Sequence, residues 1–127
     1  IDYLSQFPLV GSIFVLFFAL SIGHVLADYP LQGTYLARTK DPNYRDDKSN
    51  KSQSKYEWIL SLYAHSLIHA GFVWALTGFV WFGLIELVLH WLIDCLKING
   101  ASNLIVDQAL HYLCKIAYAV VIVIYLI

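Results

Sequence analysis

Residues 86–94 read Glu86-Leu87-Val88-Leu89-His90-Trp91-Leu92-Ile93-Asp94. Glu86, His90 and Asp94 stand four residues apart, so a helix stacks them along one stripe while large apolar side chains cover the rest of its surface. Such a helix belongs in lipid or in a protein core, with the ionisable line facing something polar. The same spacing joins His24 to Asp28, His65 to His69 and Asp107 to His111, so every histidine of the chain belongs to one of four groups. Scatter would give a histidine an acidic or histidine neighbour at that distance roughly one time in five, so the pattern is ordered.

Working outward, the 127 residues make one domain, 1–127, in which 59 % of residues are apolar and 13 % charged. That balance predicts an all-α, polytopic membrane protein whose principal partner is the lipid bilayer. The net charge of −1 says nothing about nucleic acid, but no basic helix or stripe of the kind that binding needs is present, so no nucleic-acid partner is expected. Cys95 and Cys114 lie in apolar helical stretches and read as small buried residues, neither a disulfide framework nor a thiolate zinc site. There is no methionine, even at position 1, so the chain reads as a processed or truncated product.

Phe7 to Ala27 carries no charge before His24 and is long enough to cross a bilayer. A cleaved signal peptide is the rival reading, but no positive segment precedes it. Pro30 and Gly33 mark its end or a kink past Asp28. Residues 37–56 are strongly polar and hold six of the eight basic residues, Arg38, Lys40, Arg45, Lys48, Lys51 and Lys55. They read as a flexible loop, cytoplasmic by the positive-inside rule, which leaves both termini on the other side. Trp58 to Lys97 has the length of two spans, with Gly78 and Gly83 proposing a tight hairpin between helices at 57–77 and 80–97. Asn99-Gly100 stops the third helix, and Ser102 or Asn103 caps a fourth that runs to Ile127. The expectation is a bundle of about four transmembrane helices.

Counted from the loop side, each of the four groups begins within about eight residues of its helix end. At about 1.5 Å per residue all of them fall in one slab some 6–18 Å deep. Burying Asp28, Glu86, Asp94 and Asp107 without a matching set of lysines or arginines would cost on the order of 5–10 kcal/mol. One or two divalent cations would offset that, since binding at a structural zinc-type site is worth on the order of 10 kcal/mol. The expected ligands are His24, Asp28, His65, His69, His90, Asp94, Asp107 and His111, enough donors for a dinuclear site. Imidazole and carboxylate without thiolate favour zinc, manganese or iron.

Lys115 stands at the depth of Glu86 in an antiparallel register, so a buried Glu86–Lys115 pair flooring the site competes with a Glu86–metal bond. Gln32 and Gln108 flank the acids as second-shell or substrate contacts, as does Lys115. Hydrolysis is the leading functional expectation. In it a metal-activated water is the nucleophile, Glu86 or Asp28 the catalytic base, and a lipid or other phosphoester at the cytoplasmic face the substrate. The rivals are a divalent-metal transporter or channel subunit, which would need a homodimer to build a second gate, and a di-iron oxidoreductase, disfavoured by the shortage of glutamate. A non-catalytic subunit of a membrane complex, holding a structural metal, is the last.

The ordered set His24-x3-Asp28-Tyr29-x-Leu31-Gln32, His65-x3-His69, Glu86-x3-His90-x2-Ile93-Asp94-x2-Lys97 and Asp107-Gln108-x2-His111 resembles a bacterial and phage membrane family catalogued as domain of unknown function number 3307. The resemblance covers about residues 20 to 112 and implies a small multi-pass protein of the bacterial inner membrane, without supplying an activity. A looser similarity, in style alone, is to inner-membrane metal-dependent hydrolases.

Overall fold

The computed structural model describes residues 1–44 and 55–127 and is all-α. A short 3-10 turn (Asp2–Gln6) leads through Pro8 into α1 (Leu9–Asp28). Proline suits the position before the first helical residue, because it has no N–H to leave unpaired there. A short α2 (Gly33–Thr39) follows, then α3 (Glu57–Thr77), α4 (Val80–Ile98) and α5 (Leu104–Val121), the last ending in a π-helical turn (Ile122–Leu126). The expected spans therefore exist as helices within a residue or two of their expected ends.

The chain turns where its backbone chemistry allows. Gly78 ends α3 at φ 78°, and Gly100 follows α4 at φ 77°, a left-handed conformation that costs glycine nothing. Asn103 caps α5 by accepting a hydrogen bond from the Val106 N–H at 2.9 Å. Gly83, which together with Gly78 signalled the hairpin, lies inside α4, as the expected bounds of 80–97 have it. A Cβ there would come within 3.0 Å of the Ala70 carbonyl oxygen and of Trp74 Cβ, so this glycine lets α4 approach α3 closely.

The long helices pack as a ring in which α1 touches α3 and α5, and α4 touches α3 and α5. Contacts such as Phe17–Tyr112, His24–His69 and Glu86–Lys115 make every neighbouring pair antiparallel. One half of the interior is apolar, built from Leu4, Leu16, Leu20, Val73, Tyr118, Ala119, Ile122 and Val123. The other half, toward α2, is polar. Outward-facing side chains are apolar along the whole ring, including Phe14 and Phe18 on α1, Leu60 and Leu67 on α3, Trp81, Val88 and Leu92 on α4, and Ile105 and Leu113 on α5. A surface of that kind suits a lipid solvent. By length and composition α1, α3 and the α5 segment through Leu126 can each cross a membrane. Helix α4 is of similar length but holds Glu86, Asp94 and Lys97.

The polar segment departs from expectation. Residues 33–39 form α2, so the flexible loop does not begin at residue 37. Thr39 and Lys40 are buried, not solvated. Thr39 Oγ1 donates to the Ser61 hydroxyl at 2.7 Å, seating the end of α2 against α3. On the exposed side the Tyr35 hydroxyl donates to Glu57, a bond that pushes the phenol above its usual range. Positions 45–54 of the expected loop, with Arg45, Lys48 and Lys51, lie outside the described residues.

Candidate metal centre

All eight expected ligands converge in the polar half. Four-residue spacing keeps each group on the inward stripe of its helix, and the short turns at Gly78 and Gly100 bring the stripes of α3, α4 and α5 to one level. His65 and His90 are fully buried, His24, His69, Asp94, Asp107 and His111 nearly so, and only Asp28 retains partial exposure.

Asp28, at the end of α1, is the hub. Its Oδ1 lies 2.9 Å from His69 Nε2 and 3.4 Å from His65 Nε2. Its Oδ2 lies 3.2 Å from His24 Nε2 and accepts a 3.2 Å hydrogen bond from the Gln108 amide. His24 Nε2 is also 3.0 Å from Gln108 Oε1, where it donates, so His24 and Gln108 clamp the carboxylate from one side. The imidazoles of His69, His90 and His111 stack, with centroids 3.7 Å apart for the first pair and 4.2 Å for the second.

Among the described residues two groups of donors share no member and have the proportions of a cation site. One is Asp28, His65, His69 and His90; the other is Asp94, Asp107 and His111. In each, one donor atom per residue lies within 4.8 Å of all the others. A third combination, Glu86, His90 and His111, borrows from both. His24 falls outside these groups, its Nε2 shared between Gln108 Oε1 and Asp28 Oδ2. Both nitrogens of His65 and of His90, and Nδ1 of His24 and His111, are buried without a hydrogen-bond partner among the described residues. Unpaired buried polar atoms are costly and call for an explanation.

The charge balance corrects the expectation that the acids lack lysine partners. Lys40 Nζ donates to Asp94 Oδ2 at 3.0 Å, Lys97 Nζ lies 3.6 Å from Asp107 Oδ2, and Lys115 Nζ is bonded to Glu86 Oε1. Three of the four acids thus have an ammonium partner. Among the described residues Asp28 has imidazoles and an amide alone, so the electrostatic argument for a metal narrows to the Asp28 group.

The Glu86–Lys115 floor pair forms. The second Glu86 oxygen accepts from the Tyr118 hydroxyl at 2.7 Å, and His90 Nδ1 lies 3.4 Å from the first, so the carboxylate is enclosed on every side. Sequence reasoning missed Lys40 and Tyr118. Tyr118 had a signal, standing three residues beyond Lys115 on the same stripe, whereas Lys40 was lost among the charges of its segment.

The centre opens into a cavity of about 130 Å³ on the α2 side, lined by Asp28, Asp94 and Asp107 below and by Lys40, Lys97, Gln32, Gln108 and Tyr29 around the mouth. Glu86 and Lys115 do not reach it. Gln32 donates to the Asp28 carbonyl at 3.0 Å and keeps its Oε1 unpaired.

No curated protein and no solved structure matches the chain. One family model does, over residues 16–126, which takes in every helix that carries a donor. The chain belongs to the family described as "Protein of unknown function (DUF3307)".

Proposed function

We propose that the protein is a metal-dependent hydrolase of the bacterial inner membrane, its four long helices spanning the bilayer, its cavity facing the cytoplasm and a phosphoester as its substrate. The observation that carries this reading is the Asp28–His65–His69–His90 group, convergent, buried but for the edge of Asp28, and without an ammonium partner among the described residues. Bonds of about 2.0–2.1 Å to a tetrahedral ion put neighbouring donors about 3.3 Å apart. The 2.9 and 3.4 Å separations of His69 and His65 from Asp28 Oδ1 fall on either side of that value. Three imidazoles and a carboxylate suit zinc, manganese or iron, and such an ion would need a further position, open toward the cavity, beyond these four donors to act on water.

When bound, such an ion supplies a Lewis acid and acidifies water near neutral pH. The chain supplies the rest. Asp28 lines the cavity and is the proton acceptor of choice, because Glu86 is sealed beneath it by Lys115 and Tyr118. Lys40 and Lys97 bring two ammonium groups to the cavity, which favours a phosphoryl group over a neutral ester. The cavity admits a headgroup phosphate and excludes a whole lipid, and its rim of Tyr29 and Leu104 is apolar enough to meet the interface.

The test is metal analysis of the detergent-purified chain, together with phosphate release from phospholipid and soluble phosphoester panels, with and without chelator. His69→Ala should lose the ion, and Asp28→Asn should lower turnover by about 100-fold or more. Protein that binds none of the three metals and releases no phosphate overturns the reading. Bound metal with cation flux into vesicles and no hydrolysis would identify a carrier instead.

A further inference from the structure

The second donor group differs from the first in one respect. Asp94, Asp107 and His111 place two carboxylates together, and carboxylates this close repel unless a cation stands between them. Each of the two has a lysine beside it instead, Lys40 on Asp94 and Lys97 on Asp107. Lys40 is only 8 % exposed, unusual for a residue type that is almost never fully buried unless paired, and its Nζ is 3.0 Å from Asp94 Oδ2. It arrives from α2, whose end is fastened to α3 by the Thr39–Ser61 bond. Lys97 has no such commitment, its side chain being one-third exposed and 3.6 Å from Asp107. Asp107, itself 1 % exposed, keeps Oδ1 without a hydrogen-bond partner, and the His111 ring 3.5 Å away leaves Nδ1 unpaired. The group has the donors of a divalent site, and a buried monovalent cation is bonded to one of its carboxylates.

We propose that the Lys40 ammonium is the built-in cation of the Asp94–Asp107–His111 group, that it holds the centre to one divalent ion, and that removing its charge opens a second divalent site. The inference rests on the reading that the Asp28 group binds an ion. An ammonium is a compact point charge on a flexible stem, able to stand where an ion would without imposing coordination geometry. Lys40 therefore sets the nuclearity of the centre.

The experiment measures zinc and manganese per chain by mass spectrometry on full-length protein purified in detergent and equilibrated with each metal. Wild type should hold one ion and Lys40→Met two. Asp107→Asn added to Lys40→Met should return the count to one. Lys97→Met and the charge-keeping Lys40→Arg should each stay at one. Lys40→Arg preserves the Asp94 pair and so tests the proposal even if Lys40→Met does not fold. Two ions in wild type or in Lys40→Arg, or one in folded Lys40→Met, overturn the proposal. A wild type without metal, alongside a Lys40→Met chain that gains one Asp107-dependent ion, would sink the hydrolase reading and leave this inference standing.

Discussion

Around Leu16, Leu20, Tyr118 and Ile122 the bundle interior is apolar and closely packed, whereas two turns nearer α2 the same helices hold five histidines and four carboxylates. For helices placed in lipid, as the length and composition of α1, α3 and α5 allow, the apolar half would gain little from burial, because the surroundings are as apolar as the core, and packing would hold it. The polar half is held by ion pairs and by imidazoles with few alternatives in hydrocarbon. The apolar half should therefore tolerate changes of shape and punish cavities. The polar half should tolerate neither a lone charge nor a shifted ring.

The sharpest way to break this contrast is at the floor, where the two halves meet. Glu86→Gln leaves Lys115 uncompensated, and Lys115→Met does the same to Glu86, so each alone should destabilise the bundle by about 3–5 kcal/mol. The double variant should regain much of the loss and keep its metal. Thermal unfolding in detergent with metal analysis decides this, and loss of metal in Glu86→Gln would make Glu86 a ligand. A smaller loss, about 3 kcal/mol, is expected for Leu20→Ala in the apolar half. If the halves are independent, that loss should be the same with chelator present and should add to the effect of His69→Ala within about 0.5 kcal/mol. The smallest effect belongs to the seat of α2. Thr39→Ala removes the bond to Ser61 and should cost about 1 kcal/mol, read by the same melts.

Much of the polar half was legible because four-residue spacing is a property of the helix itself: once His24, His65, His90 and His111 each had a partner one turn away, their inward stripe followed. The depth agreement followed from helix ends marked by Gly78, Gly100 and Asn103. Lys40 was illegible because nothing in a run of lysines, asparagines and serines distinguishes it as a charge that folds inward. Its burial depends on α2, a helix of seven residues too short to announce itself by periodicity. What Gly83 does inside its helix was illegible for a related reason. Glycine marks both turns and close helix approaches, and only the neighbour across the seam, Ala70, tells them apart.

That seam has a consequence for the chemistry above it. Ala70 follows His69 directly, and His90 lies about two turns along α4 from Gly83. A hydrogen in place of a methyl at position 83 thus gauges the gap across which two imidazoles from different helices face each other. A methyl there would press on the Ala70 carbonyl oxygen and Trp74 Cβ, which would have to give by some tenths of an ångström. Metal–ligand bonds are held to about 0.2 Å, so the clearance at one glycine is of the same size as the tolerance of the site.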